Sequence, residues 1–294
     1  MPEIAHEYAA VNGLRLHCAH AGAGRLMLFL HGFPEFWHCW RRQLEWFGER
    51  GWHAVAPDMR GYNLSDKPSD VAQYRAKHLI EDIRGLAAHY GGQKFVLVAH
   101  DWGGAVAWAF AAAHPELLSH LVIVNSPHPY TFWRELSTSP AQQKASEYML
   151  LLRDAKAERV LSADGFRRLL AMAFGDAAPG SFGDDDRAAY LEAWSQPGAL
   201  TGGLSYYRAS PLYPPTPADA GAAKLKLEAV DFAVKVPTLV IWGDRDRALL
   251  PALLDGLDAC VPDLKIVRVP DASHWVVRER PELVNREIDS FVSR

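Results

Sequence analysis

Along the chain, short apolar runs alternate with amphipathic stretches. LRLHCAH (14–20), LMLFLH (26–31), HAVAPD (53–58), KFVLVAH (94–100) and HLVIVNS (120–126) each have the length and aliphatic content of a strand. Between the last three, residues 74–91 and 103–114 space their apolar side chains as helices do. Near-continuous apolar strands joined by helices predict a mostly parallel sheet covered on both faces. Val11-Asn12-Gly13 has the composition of a hairpin turn, so the first pair of strands is expected to run antiparallel.

The pattern changes after Pro129. Residues 130–229 keep helical spacing and Gly/Pro-rich joints but offer no convincing buried strand, and PLYPPTPADAGAA (211–223) is a loop by composition. VPTLVIWG (236–243) and LKIVRVPD (264–271) then restore the alternation, and Pro281 marks the start of a closing helix. The expected organisation is an α/β core of residues 1–129 and 230–294, interrupted by a helical insertion over 130–229.

Composition narrows the function classes. A chain of 294 residues with 49% hydrophobic content can bury a core of this kind. A formal charge of -4 without any Lys/Arg run gives no electrostatic case for nucleic acid. Cys18, Cys39 and Cys260 are odd in number and far apart, which predicts reduced thiols rather than disulfides or a metal site. The start MPEIAHEYAAVNG lacks the pattern of a signal peptide, and no window has the ~18 apolar residues of a membrane span. A soluble, cytoplasmic protein acting on a small molecule is the expectation.

The candidate chemistry sits where strands end. Ala99-His100-Asp101-Trp102-Gly103-Gly104 has the small residues that a strained strand-turn-helix corner needs on both sides of a nucleophile, here Asp101. The helix that follows aims its first amides at that spot. The simpler alternative makes Asp101 the cap of that helix. WGDRD puts Asp244 and Asp246 at the end of one strand, and DASHW puts His274 after the last. LHGFPE (30–35) ends an earlier strand, so the backbone amides of Phe33 and Trp102 are candidates for an oxyanion hole.

These motifs together, HGFPEFWHCWRRQ, APDMRGYNLSDKP, AHDWGGAVAW, NSPHP and WGDRD with DASHW, resemble the α/β-hydrolase-fold epoxide hydrolases and their dehalogenase relatives over nearly the whole chain. Nucleophile, acid and histidine follow one another in the chain order of that fold. A carboxylate nucleophile suits displacement at a saturated carbon, giving an ester on Asp101 that water then cleaves. His274, oriented by Asp246, is the base for that second step. The resemblance further implies two insertion tyrosines that assist the leaving oxygen. Tyr207 in LSYYRAS matches one, with its neighbour Tyr206 as an alternative, and Tyr148 in ASEYMLLL matches the other more loosely. The reaction implied is epoxide to vicinal diol, without cofactor or metal, as part of detoxification.

A haloalkane or haloacid dehalogenase with the same Asp101-His274-Asp246 triad is the runner-up. Trp102 offers an indole N–H to a halide, and Trp133 or Trp194 offers a second donor. Phe33, however, stands where many dehalogenases carry Asn, and Trp102 and Ala105 stand where fluoroacetate-type enzymes carry arginines. A binding module without activity would not need the complete set of groups. The substrate is expected to be a small apolar epoxide or halogenated molecule, and the protein a monomer or homodimer. Trp37, His100 and Trp275 are expected to line the cleft, His100 and His128 also to hold loops, and Arg60 and Asp66 to brace the nucleophile loop. His31 and His38 lack metal-ligand spacing.

Overall fold

The computed structural model describes residues 3–293; Met1, Pro2 and Arg294, the outermost ends of the expected core, lie outside the described residues. Eight strands form one sheet: β1 (Ala5–Val11), β2 (Leu14–Ala21), β3 (Arg25–Leu30), β4 (Trp52–Pro57), β5 (Phe95–His100), β6 (Leu118–Val124), β7 (Thr238–Gly243) and β8 (Leu264–Val269). Their spatial order is β1-β2-β4-β3-β5-β6-β7-β8. The β1–β2 and β2–β4 pairs are antiparallel, and every later pair is parallel. This is the mostly parallel sheet expected from the alternation, in the α/β-hydrolase fold that the family resemblance implies. The hairpin closes at Val11↔Leu14. β1 left no apolar run in the sequence because most of its side chains are exposed.

The central strands read as unbroken apolar runs because both faces are buried. In β5, Val96 and Val98 pack into one core with Met27 and Phe29 of β3, while Leu97 and Ala99 pack into the other with Leu28 and Leu30. Successive strand side chains point to opposite faces, so a strand covered twice cannot alternate with polar residues. On one face lie α2 (Ala76–His89) and α3 (Trp102–Ala113), with Leu79, Ile83, Val106 and Phe110 turned inward. The other face is covered by α1 (Arg41–Gly48) and α11 (Pro281–Val292), through Leu44, Phe47, Ile288 and Phe291. Burying one such side chain stabilises the fold by about 1.5–3 kcal/mol.

Between β6 and β7 the chain runs through α4 (Pro129–Thr138), α5 (Pro140–Ala145), α6 (Tyr148–Arg153), α7 (Ala157–Phe174), α8 (Asp184–Ser195) and α9 (Ala199–Ala209). α7 is broken at residues 163–166 by non-helical backbone. No strand occurs in this excursion among the described residues; its one isolated bridge joins Thr216 and Asp219. After β8, α10 (Val276–Glu279) leads into α11.

α3 lies so close to β3 that Gly103 has no room for a side chain: a Cβ there would sit 2.5 Å from the Leu30 carbonyl oxygen and 2.6 Å from that of His31. Both atoms belong to the backbone of a central strand and the turn after it, and cannot swing aside. Gly103→Ala is therefore expected to lose about 1–3 kcal/mol of stability, as overpacking does, read from the midpoint of urea unfolding.

Candidate active site

β5 ends at His100 and the chain enters α3 one residue later. At that corner Asp101 has φ 49° and ψ −121°, outside the regions a non-glycine residue ordinarily takes. The conformation is fixed from two sides. The Ser126 hydroxyl donates to the Asp101 carbonyl at 2.7 Å, and the Ala105 N–H donates to the same oxygen at 3.0 Å. The Asp101 side chain makes no capping bond to α3, so the simple capping alternative does not hold. Its carboxylate instead reaches over the loop after β3, where the Phe33 N–H donates to Oδ1 at 2.7 Å. A Cβ on Gly32 would lie 2.2 Å from that same Oδ1, which is why the loop needs glycine there. Trp102 supplies the first N–H of α3, which by position has no partner inside the helix.

The loops after β7 and β8 bring the other two members to this corner. His274 Nδ1 lies 2.7 Å from Asp246 Oδ2, and its Nε2 lies 3.7 Å from Asp101 Oδ2. The first is a short charged hydrogen bond; the second is too long to be a direct one. Asp246 is buried and accepts from Asn125 Nδ2 and from the Ala248 and Leu249 N–H groups, each at 2.9 Å. Burial favours its neutral form, yet the neighbouring His274 and these donors hold it below the usual carboxylate range. Asp244 turns outward to Arg268 at 2.9 Å, which separates the two acids of WGDRD. Burial disfavours charge on His274, but Asp246, and after it Asp101 and Glu35, raise it to about 9. Standing between two carboxylates, His274 is thereby favoured in its imidazolium form in the resting site.

Tyr148 opens α6 and Tyr207 lies on α9, with ring centroids 6.2 Å apart. Both border two cavities that meet at Asp101. The larger, about 260 Å³, extends past His274 and Trp275; the smaller, about 70 Å³, is walled by Phe132, Met149 and Leu212. Burial first of all, with the Asp101 charge added, pushes both phenols above their ordinary range, so they stay protonated as O–H donors. The rings of Phe33 and Trp102 meet Tyr207 edge-on at 5.4 and 5.0 Å. Tyr206 faces away, its hydroxyl donating to the Arg60 carbonyl at 3.0 Å.

Several expectations are corrected. Trp37 does not line the cleft: it stands in a short turn whose N–H is tied to Asp58, and its ring packs on His6 in a separate surface depression. His100 is also no lining residue. It is buried behind His274, bonded to Glu35 and to the His274 carbonyl, both at 3.0 Å. Of the three, only Trp275 borders the cavity. Arg60 pairs with Asp82, and Asp66 accepts from the Arg15 N–H, so they brace the loop after β4 and not the nucleophile corner. His128 holds the Phe232 carbonyl as expected. The indole N–H groups of Trp133 and Trp194 are spent on the carbonyls of Leu225 and Pro34. Among the described residues no group of three or more His, Cys, Asp or Glu is arranged to hold a metal.

Two residues of the site are not foreshadowed by any motif. Asn125 clamps Asp246 from the end of β6, and its Oδ1 accepts from the Gly243 N–H at 2.8 Å. Glu35 is a carboxylate with 3% exposure beneath the site. Both lie inside stretches quoted above, but nothing in a linear pattern distinguishes a loop asparagine or glutamate that bonds inward from one that faces water.

The chain belongs to the alpha/beta hydrolase fold family, whose model matches residues 25–281. Within it, the similar proteins include the AB hydrolase superfamily protein YfhM of Bacillus subtilis (strain 168), 36% identical over 99% of either chain. Epoxide hydrolase 1 of Caenorhabditis elegans is 35% identical over 98% of this chain and 70% of its own length. Among solved structures, a Bacillus megaterium epoxide hydrolase in complex with an inhibitor superposes with a TM-score of 0.89 at 39% identity, covering 98% of this chain and 100% of that one.

His274 has its native pKa of about 9 above the 6.5 of an unperturbed histidine. The stability it contributes is therefore fully present below about pH 6.5 and lost as pH rises through about 9. Asp246→Asn removes the strongest cause of the shift. The His274 titration, followed by NMR, is expected to move down, and the fall in urea stability from about pH 6 to pH 9 to flatten.

Proposed function

We propose that this protein hydrolyses epoxides to vicinal diols through a covalent ester on Asp101, with the excursion over residues 130–229 acting as the lid of the cleft. The observation that carries the reading is the meeting of the Asp101 carboxylate, the His274 ring and the phenols of Tyr148 and Tyr207 at one cavity. An epoxide leaves as an alkoxide and needs O–H donors, which Tyr148 and Tyr207 supply. Asp101 Oδ2 attacks the ring carbon from behind, the C–O bond breaks, and the electron pair passes to the ring oxygen, which takes a phenol proton replaced from solvent. The Asp101 charge is then gone, so His274 loses one of the carboxylates that held its proton, releases that proton to solvent and becomes a base. It takes a proton from water as that water adds to the Asp101 carbonyl carbon, while the Phe33 and Trp102 amides hold the developing oxyanion. Collapse releases the diol and restores the carboxylate.

The relatives support this choice. Proteins over 30% identical along most of this chain are named epoxide hydrolases, and a variant of the Bacillus megaterium enzyme was solved with a diol, (R)-3-[1]naphthyloxy-propane-1,2-diol, as its product. The dehalogenase alternative is not favoured, because the indoles of Trp133 and Trp194 are already bonded to carbonyls. A small, largely apolar epoxide fits the cavity walls. No helix among the described residues is long and apolar enough to cross a membrane. The three buried free cysteines fit the reducing cytoplasm that this reading proposes, with detoxification as the role. A monomer or homodimer is the assembly this reading proposes.

Asp101→Asn is expected to abolish diol formation. His274→Gln is expected to trap an adduct heavier than the protein by the whole mass of the epoxide, seen in intact-mass spectra; an adduct that has lost a leaving group would overturn the reading. Tyr148→Phe and Tyr207→Phe each remove a proton donor and should slow ester formation by about 10²-fold or more in single-turnover kinetics.

A further inference from the structure

Beyond the wall of the small arm lies a third cavity of about 640 Å³, larger than either arm of the cleft. Leu79 of α2, Val106 and Ala109 of α3, and Leu225, Leu227 and Phe232 of the segment leading to β7 give it an apolar lining. That segment alternates: Leu225 and Leu227 border the cavity, while Lys226 and Glu228 are exposed. None of Asp101, His274, Tyr148 or Tyr207 lines it, so a molecule held there touches no reacting group. The two spaces nevertheless share a partition, because Trp102, Ala105, Pro129 and Leu212 border both the third cavity and the small arm.

The hydroxyls in its walls are satisfied locally. Tyr74 donates to the Pro68 carbonyl at 2.9 Å, Tyr206 donates to the Arg60 carbonyl at 3.0 Å, and the Ser210 hydroxyl accepts from the Leu212 N–H at 3.1 Å. Two cations at the rim are not. Arg75 and Lys77 are exposed, and among the described residues neither side chain has a hydrogen-bond or ion-pair partner. No carboxylate lines the cavity among the described residues. Nearby Arg60, by contrast, is matched by Asp82. Two unmatched charges of one sign at the mouth of an apolar space attract an anion. A cavity of this volume takes a small molecule, with a few polar groups fixing its orientation. Its complement is one apolar chain with one anionic end.

We propose that this cavity binds a medium-chain carboxylate, its chain against Leu79, Val106 and Leu227 and its head between Arg75 and Lys77, and that the occupant stiffens the partition shared with the small arm. The binding half stands independently of the epoxide reading; the coupling half rests on it. A chain lying behind Trp102 and Leu212 removes the space into which they would otherwise yield when a substituent enters the small arm. Close-packed walls transmit such strain rather than absorb it. An epoxide substituted on both carbons, which needs the small arm, is then disfavoured, whereas a terminal epoxide is not.

The test is calorimetric titration of the full chain with decanoate below its micelle concentration, with octanoate and decanol alongside. One saturable site for decanoate is expected. Octanoate should bind about tenfold more weakly, for two methylenes fewer. Arg75→Gln and Lys77→Gln together should cost decanoate about fivefold and leave decanol unchanged. Ala109→Phe fills the cavity and should abolish binding of either chain while terminal-epoxide turnover stays as it was. No saturable binding, or binding undiminished in Ala109→Phe, overturns the proposal. So does uptake by anionic vesicles in place of decanoate binding, which would make this face a membrane patch. Should Ala109→Phe not fold, an unchanged decanoate affinity in the charge variant overturns the site instead. Kinetics at saturating decanoate read the coupling: KM for a disubstituted epoxide should rise about fivefold, and KM for a terminal epoxide should not. A rise for both places decanoate in the reaction cleft and overturns the proposal; a rise for neither overturns its coupling half. Failure of the epoxide reading would show separately, as no turnover of any epoxide, while the titration still decides the site.

Discussion

The whole site hangs on one backbone constraint, the turn that lets Asp101 leave a central strand and enter a helix within a single residue. A non-glycine residue at φ 49° is costly, about 1–3 kcal/mol for such sparsely populated conformations. It persists because its surroundings leave no relaxed alternative. The strand before it is buried on both faces, the helix after it lies against β3 at Gly103, and its carbonyl is held by Ser126 and Ala105. The reward is placement: the carboxylate stands clear of the sheet edge, where the loops after β3, β7 and β8 all converge.

Charge alternation is the second organising theme. From α8 inward, Asp186, Arg278 and Glu35 alternate in charge, and the His100 ring bridges Glu35 to the carbonyl of His274, which stands between its two carboxylates. Each of these charges is buried enough that leaving it unmatched would be expensive, and each is matched by a neighbour. Asp186 lies on α8 of the helical excursion, whereas Arg278, Glu35 and His100 belong to the core. The polar chain beneath the base thus ties the two parts of the molecule together.

Most of the frame was legible in the sequence because it is written in periodicity. Buried strands appeared as apolar runs, α2 and α3 as helical spacing, and Pro281 as a helix start. Asp101, Asp246 and His274 were legible because each follows a strand at its C-terminal end, where such sheets build sites. Side-chain direction was not. Trp37 and His100 lie beside site motifs in the chain, yet one turns to the outer surface and the other inward beneath the base. Tyr206 and Tyr207 are adjacent on α9 and so about 100° apart around the helix axis; only packing against Arg60 on one side and Phe33 on the other distinguishes them. Glu35 and Asn125 act through hydrogen bonds across the fold, which no local pattern encodes.

The two cavities meeting at Asp101 differ nearly fourfold in size, about 260 Å³ against 70 Å³. Such a cleft is handed before any substrate enters. In the proposed reaction, an oxirane held by two phenols with its carbons over the carboxylate would send its larger substituent into the larger arm. That choice decides which ring carbon faces Asp101, and inversion at the attacked carbon carries the decision into the product. Mirror-image epoxides would consequently meet different reaction geometries in the same site, and walls that never touch the bond being broken would govern the stereochemistry of the diol.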